Sequence, residues 1–163
     1  SYEELIKKFD LTKSFDRLPR KEPWYIEKRY FRHPIYNYSF FLLRNNSRYV
    51  GLLVGREVSL NNVKIFRFVD FIGEINHLAC IGKEIENLII TRNYEYVDFL
   101  CSGIDPDIFS KSGFRLKESS SKNVIPTFFE PFLQENNDIF FEKLPSNLVL
   151  FKADADQDRP RYS

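Results

Sequence analysis

The stretch from Val63 to Phe114 admits few architectures, because it reads as strand, helix, strand, short helix and strand in close succession. Val63 to Phe71 is a β-branched and aromatic run, apolar on both sides towards its end, and such a run suits a sheet interior better than an edge. Ile72-Gly73-Glu74 breaks the pattern, and from Ile75 to Thr91 the residues Ile75, Leu78, Ala79, Ile85, Leu88 and Ile89 recur at helical spacing. Tyr94 to Cys101 reads as a second buried strand, Gly103-Ile104-Asp105-Pro106 as the turn into a short helix, and Phe114 to Lys117 as a further strand. A strand–helix–strand passage of this length predicts a parallel pair with a right-handed crossover. The ligand crevice of such a unit lies at the carboxyl ends of its strands, beside the amino end of the helix.

The flanking segments complete an α+β plan. Tyr2 to Phe9 and Trp24 to Phe31 read as amphipathic helices, separated by a loop over Asp10 to Pro23 with Pro19 and Pro23 as breakers. Tyr36 to Arg44 and Arg48 to Val58 read as strands about an Asn45-Asn46-Ser47 hairpin turn, and Leu60-Asn61-Asn62 turns the chain into the central strand. The expected mixed sheet is therefore a three-strand antiparallel meander followed by the strand–helix–strand crossover, with helices on both faces. After a polar loop, Glu118 to Asn123, come an aromatic segment from Val124 to Leu133, a turn at Asn136-Asn137-Asp138, the run Ile139 to Phe141, and a closing strand from Asn147 to Lys152. Residues 1–152 read as one domain, and residues 153–163 as an acidic tail without periodicity.

Composition removes several function classes. A net charge of +1, with Lys and Arg spread along 163 residues, does not advertise nucleic-acid binding. No signal peptide or membrane-length apolar run is visible. Cys80 and Cys101 lack metal spacing and read as reduced thiols, which points to a cytoplasmic protein. The absence of Met raises the expectation of a domain cut from a longer polypeptide. With no β-like run before Tyr36, the first strand is expected to be an open edge carrying Phe40-Phe41-Leu42-Leu43. Its expected cover is an adjacent domain, a second copy forming a homodimer, or the returning segment Val124 to Leu133.

The order of elements resembles the GNAT superfamily of N-acetyltransferases from about Trp24 to Lys152, and is nearest to divergent bacterial members that acylate surface sugars and peptidoglycan-type substrates. The residues that carry the resemblance are Arg29 to Tyr38 before the first strand, Val50 to Gly55 in the next, Val69-Asp70-Phe71 ending the central strand, and Phe109-Ser110-Lys111-Ser112-Gly113-Phe114. The resemblance implies a cytoplasmic transferase that uses acetyl-CoA or another acyl-CoA as cosubstrate and a small-molecule amine, of a sugar or nucleotide sugar, as acceptor. It implies pantetheine pairing along Val69, Asp70 and Phe71, with Cys101 and Ser102 on the facing strand. The pyrophosphate would meet Gly73, Ile75 and Asn76 at the helix start.

Two positions depart from the family pattern. Phe71 to Leu78 offers one Gly, no Arg or Gln, and Glu74 where a phosphate should approach; Phe109 stands where many members carry a Tyr general acid. Acyl transfer can still proceed by orientation and a base for the amine. The candidate base is Asp70, with His77 and Glu74 as alternatives, each weighed against an ordinary capping or ion-pairing role. Asp98, inside an apolar strand, must be paired or face a cavity, and pairing is the reading adopted. Two further readings stand beside the acyltransferase: a degenerate GNAT-like domain that binds a ligand or partner, and one half of a tandem FemAB-like transferase.

Overall fold

Asn46 and Asn62 both take positive φ, and the tight turns they make fold three successive strands against one another. Strands β1 (Ser39–Asn45), β2 (Arg48–Leu60) and β3 (Val63–Gly73) form an antiparallel meander. Strand β4 (Val97–Phe99) joins β3 in parallel, which gives the order β1-β2-β3-β4 and leaves β3 in the sheet interior. The computed structural model of the chain describes residues 1–14, 16–60, 62–118, 122–126, 147–154 and 158. The expected aromatic run beyond residue 126, the turn at Asn136–Asp138, the run Ile139–Phe141 and most tail positions lie outside the described residues. The architecture is α+β, with a mainly antiparallel open sheet.

Alternation along β2 divides the core in two. Leu52 and Val54 face one cluster with Leu5, Phe9, Ile26 and Tyr30, contributed by helix α1 (Tyr2–Lys8) and helix α2 (Pro23–Ile26), which continues through a π turn over Glu27–Phe31. Leu53 faces the other, with Phe66, Phe68 and Phe71 of β3 against Leu78, Ile81 and Ile85. On β3 the register jumps between Phe68 and Asp70, leaving Val69 as an extra residue opposite the Val54–Gly55 step. This bulge is why Phe68 and Phe71 share a face although three residues apart, and it re-aims Asp70 towards Tyr30 of α2.

The helix expected over Ile75 to Thr91 is two pieces: a 3-10 turn over Ile75–Cys80 and helix α3 over Gly82–Arg92. The side chain of Ser112 stitches the break, accepting from the Ile81 N–H at 3.2 Å and donating to the Leu78 carbonyl. The strand expected over Tyr94 to Cys101 is likewise divided, into β4 and a short β5 (Cys101–Ser102), and helix α4 (Pro106–Lys111) follows. No strand forms at Phe114 to Lys117, contrary to expectation; Phe114 instead packs edge-on against Phe109 of α4, with ring centres 5.7 Å apart. The partner of β5 is β6 (Leu150–Phe151), in antiparallel register. Among the described residues nothing pairs with the outer edge of β1.

Strands β3 and β4 pair only through Phe66–Phe68 and Val97–Phe99, and then part. Residues 147–154 enter the gap as a strap. The Lys152 N–H donates to the Leu100 carbonyl at 3.0 Å, and the Ala153 N–H donates to the Val69 carbonyl at 3.0 Å. Upstream, Leu18 donates to the Asn147 carbonyl and accepts from the Val149 N–H, at 3.0 and 2.9 Å.

Candidate functional site

The carboxyl end of β3 is where sequence reasoning places the chemistry, and each residue there has a definite occupation. The Val69 carbonyl is engaged by Ala153, as above. Asp70 is fully buried; Lys21 Nζ pairs with its Oδ1, the Tyr30 hydroxyl donates to Oδ2 at 2.5 Å, and the Phe71 N–H donates to Oδ1 at 2.7 Å. Phe71 itself is a fully buried core residue. Gly73 takes φ +134° with the Gly51 Cα 2.6 Å from where a Cβ would stand, and its carbonyl accepts from Arg17 Nη2 at 3.0 Å.

The remaining candidates sit apart from Asp70. Glu74 lies 3.3 Å from His77 Nε2 and 3.8 Å from Lys13 Nζ, on a half-exposed surface. Ile75 packs into the β3 aromatic cluster and Asn76 is exposed. No hydrogen bond or ion pair joins Asp70 to Glu74 or His77 among the described residues. Cys101 and Ser102 form β5, and burial pushes the Cys101 thiol up to about 12, which holds it as an un-ionised thiol at neutral pH. Asp70, the candidate base weighed against an ion-pairing role, thus has its oxygens taken by an ammonium, a phenol and a backbone amide.

Lys21 was invisible to pattern reasoning, yet it centres this cluster. Its ammonium also binds Asp154 Oδ2 at 2.9 Å and lies 4.6 Å from the centre of the Phe151 ring. Asp154 Oδ2 further accepts from the Phe151 N–H at 2.9 Å. Burial, and then the nearby charge of Asp70, raise the Asp154 carboxyl above its ordinary value, while Lys21 opposes the shift. Burial followed by Asp70 also holds the Tyr30 hydroxyl far above the usual phenol range.

A second buried cluster surrounds Asp158. Its carboxylate accepts from the Tyr38 hydroxyl at 2.6 Å and from Arg56 Nε at 2.9 Å, and its carbonyl accepts from Arg29 Nη2 at 3.1 Å. Arg56 in turn lies over the Tyr36 ring at 3.8 Å. Asp154 and Asp158, two positions of the segment read as an acidic tail without periodicity, are interior anchors. Asp98 is paired by Arg67, its neighbour across the parallel ladder.

An open concave space does exist, on the other side of β4. A cavity of about 270 Å³ lies between β4, α4 and the chain after Phe114. Phe99, Ile104, Phe109 and Phe114 supply apolar wall, Arg67, Asp98 and Lys152 a polar end, and Arg115 and Lys117 further positive charge. Among the described residues no group of three or more His, Cys, Asp or Glu is arranged to hold a metal, and no helix is long and apolar enough to cross a membrane.

No protein-family model matches the chain, and no curated protein is similar to it. Among solved structures it is similar to the crystal structure of TTHA1254 (wild type) from Thermus thermophilus, at 13% identity over 77% of this chain and 92% of that one, with a TM-score of 0.47. That degree of overlap carries no argument about fold or activity.

Proposed function

We propose that this chain is a GNAT-like domain that binds a small ligand and does not itself transfer an acyl group. The observation that carries the reading is the hydrogen bond from the Ala153 N–H to the Val69 carbonyl at 3.0 Å. An acyl-CoA would have to pair along this strand end, and the chain already pairs there with itself. Sealing of Asp70 by Lys21 and Tyr30 supports the same reading, because a base must reach the proton it removes. So does Phe109, which offers no proton to a leaving thiolate.

The acyltransferase reading keeps the same strands and requires the strap to leave. Calorimetric titration of the chain with acetyl-CoA separates the two. The binding-domain reading expects no saturable heat up to millimolar cofactor, with the Ala153 amide still protected from hydrogen exchange. Stoichiometric binding accompanied by exposure of that amide would overturn it and restore the transferase.

A further inference from the structure

We propose that the cavity between β4 and α4 is the ligand site, and that its ligand is a small anion with an apolar body, a short-chain carboxylate or phosphate monoester. This rests on the binding-domain reading above and adds the class of ligand.

Size comes first. At about 270 Å³ the cavity lies just below the roughly 300–1,000 Å³ typical of drug-sized sites, so it suits a body of a few carbons and excludes a whole acyl-CoA. Its wall is set by aromatic packing: Phe99 lies 5.4 Å from Phe109 and 5.5 Å from Phe151, centre to centre, which holds the β4 side and the α4 side in fixed relation. A pre-formed apolar wall binds an apolar body without first ordering it.

Charge decides the head group. Among the described residues, Arg67, Arg115, Lys117 and Lys152 line the space against the carboxylate of Asp98, which Arg67 already engages. An entering anion gains from the buried charge of Lys152, weakly screened beside apolar walls, and from the exposed Arg115 at the rim, whereas a cation would be repelled. Cys101, also in the lining, contributes no competing charge because its thiol stays protonated.

Lys152 gives the site a pH signature. Burial, reinforced by Arg67, pushes its ammonium down to about 8; Arg56 acts in the same direction, while Asp158 and Asp98 oppose it. A bound anion stabilises the protonated form, so binding takes up protons and weakens as pH rises through that value.

The test titrates the full chain with hexanoate, hexyl phosphate and hexan-1-ol, followed by calorimetry and by shifts of the aromatic resonances. At pH 7 at least one anion is expected to saturate a single site at least about tenfold more tightly than the alcohol, and the tighter anion names the head group. Arg115→Glu, at an exposed position, should weaken anion binding severalfold and leave the alcohol unmoved. Ile104→Trp, which fills the space, should abolish both. Anion affinity should fall between pH 7 and 9, and that fall should vanish in Lys152→Met. Equal affinity for alcohol and anions, or anion binding untouched by Ile104→Trp, overturns the site. Acetyl-CoA binding with release of Ala153 would instead strike the parent reading, and the hexanoate titration would still decide the cavity.

Discussion

A lysine amid proline breakers carries more of this molecule's polar interior than any residue its pattern advertised. Lys21 joins Asp70, 49 positions away, to Asp154, 133 positions away, and all three side chains are at most 4% exposed. Two carboxylates sharing one ammonium in a buried cluster make the cation the dangerous one to remove. Lys21→Met should destabilise the chain by about 3–5 kcal/mol, since it leaves buried charges facing each other. Asp154→Asn keeps Lys21 on Asp70 and should cost distinctly less; urea unfolding of both variants checks the order. Lys152 gives a prediction of opposite sign. Its folded-state value of about 8 lies below its ordinary 10.5, so below pH 8 both states hold the proton and the folded state bears the net penalty of burying it, after the offset from Asp158 and Asp98. Between 8 and 10.5 the unfolded state binds more protons, and stability rises with pH. Lys152→Met should therefore exceed the parent in stability at pH 7, by on the order of 1–3 kcal/mol, with the margin shrinking by about pH 9.5. At this scale the sequence disclosed Asp98, because an acid inside an apolar strand demands a partner. It could not disclose Lys21, because a lysine in a loop looks the same whether solvated or buried.

Elements were legible where their signals are local. The meander follows from Asn-rich turns between apolar runs, and the parallel pairing of β4 follows from the length of the crossover. Breaks inside elements were not legible, because distant residues cause them. The Ile75–Thr91 periodicity is continuous, yet the helix stops at Cys80 and restarts at Gly82 where the backbone of Ser112 approaches: a Cβ on Gly82 would lie 2.7 Å from the Ser112 carbonyl oxygen. Ser112 satisfies the Ile81 N–H and the Leu78 carbonyl that this break would otherwise orphan. Ser112→Ala should cost about 1–3 kcal/mol by leaving a buried donor and acceptor unmet, and should expose the Ile81 amide to hydrogen exchange ahead of global unfolding. The Asp70 cluster was half legible for the same reason: the end of the central strand could be read from the sequence, but the bulge at Val69 that turns Asp70 into the core depends on pairing with β2.

At the scale of the molecule, residues 147–154 join parts that are remote in the chain: Leu18, the parting ends of β3 and β5, and the Lys21 cluster. A closing strand near Asn147 to Lys152 was foreseeable from its apolar run, but its place was not. Alternating aspartates without periodicity read as a tail, and it is distant partners, Lys21 for Asp154 and Arg56 with Tyr38 for Asp158, that make them interior residues. At its far end the strap is held by a backbone bond at Ala153 and by charge at Asp154, and these two can be cut separately. Ala153→Pro removes the N–H that reaches Val69 while leaving the Asp154 carboxylate in place. The sheet should survive, with an unchanged far-ultraviolet spectrum, because β1 to β4 pair without the strap. Stability should fall by roughly 1–3 kcal/mol, the cost of an unmet buried carbonyl together with strain at the new ring. Titrated with acetyl-CoA, the variant should still give no saturable heat, since Glu74 opposes phosphate at the next turn and Lys21 keeps Asp70 sealed. If Ala153→Pro instead opened a one-to-one acetyl-CoA site, the strap would be the gate of a transferase and not a permanent part of the sheet.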